Sequence, residues 1–202
     1  MKLSFDPPLL RLPGALIANF WKNLALYQDG RGLWLVGGLS ALGLEFFSVL
    51  FFQIFLKLNP CEECVQVRFS MYIIFLGGLI GAIAPRRIFF KIPGYICSFF
   101  GVFLGLLHTL TLENINLEIQ VNPDYLPLCS PEKVHFLFNL PLDSWFPRHF
   151  KPSGLCGEDS LWEFAGFTMT QQLIMIFIVY FVGLTFMAIS FILSKQKKHQ
   201  AS

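Results

Sequence analysis

Residues 33–66 read LWLVGGLSALGLEFFSVLFFQIFLKLNPCEECVQ, and the first 24 of them decide the fold. Leu33–Leu56 is predominantly apolar and carries one charge, Glu45. About 20 such residues in a helix cross roughly 30 Å of hydrocarbon. A spanning segment of this kind must be helical, because an open sheet edge in lipid leaves backbone groups unpaired. The run stops at Lys57 and Pro60, and a Cys-x-x-Cys motif, Cys61-Glu62-Glu63-Cys64, follows at once.

Three more stretches have the same character: Val67–Ala84 with Arg68 at its start, Ile92–Leu112, and Leu173–Leu193. The whole chain of 202 residues is 54% hydrophobic and only 14% charged. A soluble domain carries about a quarter charged residues, so the composition specifies a membrane protein. The net charge of +2 is small and scattered, which excludes a nucleic-acid footprint. Ten of the 15 basic residues lie before the first run, between the second and third, or after the fourth. The positive-inside rule makes that side cytoplasmic. The expected fold is an all-α, four-transmembrane-helix bundle with both termini cytoplasmic. Its spans are 33–56, 67–84, 92–112 and 173–193, and its periplasmic loops are 57–66 and 113–172. Residues 1–32 are expected to form an amphipathic cytoplasmic segment rather than a signal peptide, the alternative being a partly disordered tail. Residues 194–202 form a cytoplasmic tail.

Four of the five cysteines, Cys61, Cys64, Cys129 and Cys156, fall in the two outer loops. Disulfides persist on that side of a bacterial inner membrane. Three readings of these four are open: a zinc site, inert staples, or exchange-active disulfides. Their oxidising location and the 27-residue separation of the second pair favour exchange. Arg68 follows Cys64 by four residues, so a helix containing both puts them on one face. A guanidinium there stabilises a Cys64 thiolate and can donate to a quinone carbonyl; the plainer reading is an interfacial Arg that snorkels. Glu45 in mid-span marks a bundle-facing role, as a structural hydrogen bonder or a proton relay. His108 lies at the depth of Arg68; a lone His is most often a satisfied packing residue, but that shared depth makes it a candidate for a cofactor pocket. Cys97 lacks a partner at its depth and is expected only to pack. The segment Phe136–Phe150, FLFNLPLDSWFPRHF, suits the outer membrane surface.

These residues together resemble the DsbB family of membrane thiol oxidases. The resemblance runs from about Leu33 to the C-terminus. It is carried by Ala41-Leu42-Gly43-Leu44-Glu45, by Pro60-Cys61-Glu62-Glu63-Cys64 with Arg68, and by Ile80-Gly81-Ala82-Ile83-Ala84-Pro85. His108-Thr109, Leu140-Pro141-Leu142-Asp143-Ser144-Trp145 and Ser153-Gly154-Leu155-Cys156 complete it. The Pro-Cys-Glu-Glu-Cys motif, Phe138–Leu142, Trp145 and Phe150–Gly157 look closer to the DsbI branch, whose partner is a DsbA-like protein, DsbL. His108 and the compact link from Cys156 to the last span look more like DsbB itself. Glu113–Leu128 is longer than the usual DsbB pattern.

The resemblance implies a quinone cofactor, ubiquinone or menaquinone, and a periplasmic thioredoxin-fold partner of the DsbA/DsbL kind. It implies attack by that partner at Cys129 of a Cys129–Cys156 disulfide, then attack by Cys156 on Cys61. Cys64 then passes electrons to quinone beside Arg68. It implies membrane lipid as surroundings, and neither metal nor nucleic acid as a partner. The rival from another class is a non-enzymatic membrane subunit whose loops are stapled by two disulfides.

Overall fold

The computed structural model describes residues 12–122, 134, 136, 140–154, 156, 163–164 and 166–200. Helix α1 is Leu12–Gln28 and α2 is Arg31–Ser48, which runs on into a π-helical segment, Val49–Phe55. Helix α3 is Glu62–Ile83 and α4 is Ile88–Val121. Two single turns, α5 (Leu142–Trp145) and α6 (Pro147–Phe150), precede a two-residue antiparallel pair, β1 (Glu163–Phe164) and β2 (Phe167–Thr168). The last helix, α7, is Met169–Gln200. Among the described residues four helices are long and apolar enough to cross a bilayer: Arg31–Phe55, Glu62–Ile83, Ile88–Val121 and Met169–Ser194. Large apolar side chains such as Phe47, Val36, Phe103 and Val179 are exposed around them, as lipid-facing surfaces require.

The helices overrun the hydropathy spans, α4 and α7 each starting four residues earlier, at Ile88 and Met169, and two of the differences have clear local reasons. Helix α3 begins at Glu62 rather than Val67, because Cys61 is its N-cap and Glu62 and Glu63 fill its first turn. Acidic residues there complement the helix dipole. Helix α4 continues past Leu112 to Val121. Its extension is tied to the start of α7, where the Thr170 hydroxyl and the Gln171 amide both donate to the Glu113 carboxylate. The N-terminal helix packs as well: the Trp21 ring lies tilted against that of Phe186, and the Trp21 carbonyl accepts from Ser190 Oγ at 3.1 Å.

Helices α2, α3 and α4 meet through small residues. Gly38 and Gly78 face each other so closely that a Cβ on Gly78 would lie 2.7 Å from the Gly38 Cα. Gly105 of α4 makes the same kind of approach to α7, where a Cβ would overlap the Phe177 ring. Lipid tails are as apolar as leucine, so association rests on such close backbone approach. Ala41, Val67, Met71, Ile74, Val102 and Phe177 fill the adjoining core. Gly78→Val is therefore expected to cost about 1–3 kcal/mol by overpacking against backbone that cannot move aside. Gly43→Val should be near neutral, since nothing lies within 4 Å of that position. Thermal unfolding in detergent checks the pair, and equal midpoints would refute the packing argument.

Candidate functional site

The N-terminus of α3 builds the centre of the site. Cys61 caps the helix and its sulfur accepts from the Cys64 backbone N–H at 3.3 Å. The two sulfurs face each other at 2.6 Å. The hydrogen bond with Cys64, and then burial, hold the Cys61 thiol well above its ordinary range. Cys61, Cys64 and Cys97 are free, whereas Cys156 is disulfide-bonded. Cys129 lies outside the described residues.

The second loop is brought to this point by backbone contacts. The N–H groups of Ser153 and Gly154 both donate to the Pro60 carbonyl, at 2.9 and 3.2 Å. A Cβ on Gly154 would lie 2.7 Å from the Asn59 carbonyl oxygen, so only glycine permits this approach. Two residues on, Cys156 is buried in one cluster with Cys61, Leu112, Cys64 and Ile115. The chain thus packs a disulfide-bonded cysteine from one loop against the dithiol of the other.

On a second side the dithiol faces a cavity of about 170 Å³. Leu44, Met71, Leu173 and Ile176 give it apolar walls, and Glu45, Gln53, Cys61, Cys64 and Arg68 bring polar atoms to it. Arg68 is 6% exposed. This corrects the snorkelling alternative: its guanidinium is fixed inside the protein. Nη1 donates to the His149 carbonyl of α6 at 3.1 Å. With its amide oriented to suit, Gln53 Oε1 accepts from Nη1 at 2.8 Å and also from Nη2. Nε lies 3.4 Å from Glu45 Oε1, an ion pair without hydrogen-bond geometry. Glu45 is itself buried at the cavity wall.

His108 is placed differently. Its Nδ1 lies 2.7 Å from Glu63 Oε2, and it is not among the residues lining the cavity. Its depth matches that of the dithiol, but its side chain meets α3 from another direction. Cys97 is partly buried, and its thiol donates to the Ile73 carbonyl at 3.4 Å. Among the described residues no cluster of His, Cys, Asp or Glu is arranged to hold a metal. Gln53 and the His149 carbonyl are parts of the site that the sequence reading above does not include. Gln53 carried a signal, being a polar residue near the outer end of a lipid-length run; a backbone carbonyl carries none.

The family described as "Disulfide bond formation protein DsbB" matches residues 30–187. The Protein-disulfide oxidoreductase DsbI of Escherichia coli O6:K15:H31 (strain 536 / UPEC) is 38% identical over 157 residues, 71% of this chain and 70% of that one. The Protein-disulfide oxidoreductase DsbI of Salmonella typhimurium (strain LT2) is 39% identical over 142 residues, 68% of this chain and 63% of that one. A relative from Campylobacter fetus subsp. fetus that carries the DsbI name is 39% identical over 139 residues, 68% of this chain and 64% of that one. The chain thus spans roughly two thirds of the length of these relatives.

Proposed function

Since the chain belongs to the DsbB family, on its DsbI side, and is a multi-pass protein of a bacterial inner membrane, we propose that it is a protein-disulfide oxidoreductase. It reoxidises a periplasmic thioredoxin-fold oxidase of the DsbA/DsbL kind and delivers the electrons to a membrane quinone. Both termini lie in the cytoplasm. The observation that carries this reading is the burial of Cys156 against the Cys61–Cys64 pair, beside a cavity walled by Arg68.

The relay is a pair of thiol–disulfide exchanges. The partner's thiolate attacks Cys129 of a Cys129–Cys156 disulfide, and Cys156 leaves as the thiolate. Cys156 already packs beside Cys61, so its attack on the oxidised Cys61–Cys64 pair needs little search through space. That attack expels Cys64 as a thiolate on the cavity wall. The second thiol of the partner then resolves the mixed disulfide at Cys129. Attack by Cys129 on the Cys61–Cys156 bond restores the loop disulfide and leaves Cys61–Cys64 as a dithiol.

A quinone in the cavity would supply a two-electron, two-proton acceptor for that dithiol. The residues present fit one. A cavity of about 150 Å³ accommodates a benzene-sized ring, and the apolar walls suit its faces. Arg68 and Gln53 would hold its oxygen end, and a cation there favours negative charge as it develops. Glu45 keeps the guanidinium in place and compensates its charge within the bilayer. Reduced partner in excess should drive steady reduction of added quinone by the purified protein, and Cys64→Ser should abolish it. Thiol exchange without quinone consumption would overturn the acceptor; loop disulfides inert to reduced partner would restore the stapled-subunit reading.

A further inference from the structure

Beside the cavity lies a second, polar cleft of about 530 Å³ that the proposed relay does not use. It is walled by the end of the first span and by the α6 segment: Gln53, Lys57 and Asn59 on one side, Arg148, Lys151 and Ser153 on the other. Three cations therefore converge on one cleft. Among the described residues none of the three has an acidic partner. The cleft is built rather than incidental. Its walls are joined by the Ser153 and Gly154 bonds to Pro60, and α6 is pinned from below by Arg68 through the His149 carbonyl. Lys57 adopts a left-handed backbone, φ 56°, the only non-glycine to do so among the described residues. A residue with a side chain takes up that conformation only where its surroundings impose it, and such strain clusters at binding sites.

The position of the cleft indicates its occupant. Lys57 follows directly on the last turn of a lipid-length helix, so the cleft sits where hydrocarbon gives way to headgroups. Exposed Phe55 ends that helix, and exposed Trp145 and Phe146 precede Arg148 on the other wall. Aromatic side chains at this level belong to the interfacial belt. A free anion or a soluble protein would need no such apolar flank, whereas a phospholipid presents a phosphate at this depth with its chains alongside. We propose that this cleft binds the phosphate headgroup of an anionic phospholipid from the adjoining leaflet. Basic pockets between spanning helices bind anionic headgroups at the cytoplasmic face of membranes, and the same charge pairing applies here at the opposite face. Gln53 and Asn59 also line the quinone-sized cavity, so the bound lipid forms part of its outer wall.

The test is native mass spectrometry of the full chain in detergent, titrated with phosphatidylglycerol or phosphatidylcholine. One saturable phosphatidylglycerol adduct is expected, with phosphatidylcholine binding much more weakly. Each of Lys57→Gln and Lys151→Gln should weaken it roughly fivefold. Arg86→Gln, between the second and third spans, should leave it unchanged. Equal binding of both lipids, or no loss in either variant, would overturn the proposal. Displacement by inorganic phosphate at matching concentration would show a site for phosphate alone and overturn the lipid assignment. A variant that keeps phosphatidylglycerol but loses affinity for the reduced partner would make the cleft a protein contact instead.

Discussion

Replacing Cys156 with serine is expected to abolish turnover and to trap the protein in a covalent complex with its thiol partner. The argument begins with position. Cys156 is buried against Cys61, Leu112 and Cys64, in a loop fastened to Pro60 by two backbone hydrogen bonds. A thiol released there is held at its next target. Without it, Cys129 is a lone thiol whose attack on the oxidised partner gives a mixed disulfide and frees the partner's second thiol; that thiol can only reverse the step, nothing in the chain draws the bond onward to Cys61, and acid quenching with thiol alkylation captures the complex. Cys129→Ser should behave oppositely: no stable complex, yet a Cys61–Cys64 pair still able to cycle with quinone. Non-reducing gels after co-expression with the partner distinguish the two. Thiolate attack on a chosen sulfur governs such exchanges, so a slower band with Cys129→Ser and none with Cys156→Ser would reverse the order of attack.

The parts of this site that follow from composition and spacing could be read before any coordinates. Four spans, a dithiol at a span boundary and a basic residue one turn beyond it are all periodicity and hydropathy. What could not be read is direction around a helix and contact between loops. Arg68 and His108 lie at similar depth, yet Arg68 lines the cavity while His108 turns to Glu63. Depth follows from residue count, at 1.5 Å per residue, whereas azimuth depends on which neighbour each face meets. The first turn of α3 was hidden for another reason. Glu62, Glu63 and Gln66 look like loop by hydropathy, but acids in a first turn are a helix-start signal. The docking of Ser153 and Gly154 on Pro60 uses backbone atoms, which every residue has. Only the small size of Gly154 hinted at a close approach.

Arg68→Ala is expected to do two separable things. Its guanidinium is buried with Glu45 at 3.4 Å, and removing one member of a buried pair costs about 3–5 kcal/mol, because the other charge is left unpaired. The single variant should therefore unfold at lower temperature, and its kinetics alone would be ambiguous. The double variant Glu45→Gln/Arg68→Ala removes that ambiguity. No buried charge is left over, so thermal stability should largely return. Quinone turnover should not, because the donor aimed at the cavity is still missing. Loss of one such preorganised donor costs about 3 kcal/mol at the transition state, or a factor of roughly 10² in rate. Arg68→Lys should fall between. A single ammonium keeps the charge but cannot serve the His149 carbonyl, Gln53 and Glu45 together, as the planar guanidinium does. The measurement is quinone reduction at varied quinone concentration with reduced partner in excess, set beside unfolding midpoints. If the double variant regained turnover together with stability, Arg68 would be a structural counter-ion for Glu45, and the electron acceptor would have to be held by other residues.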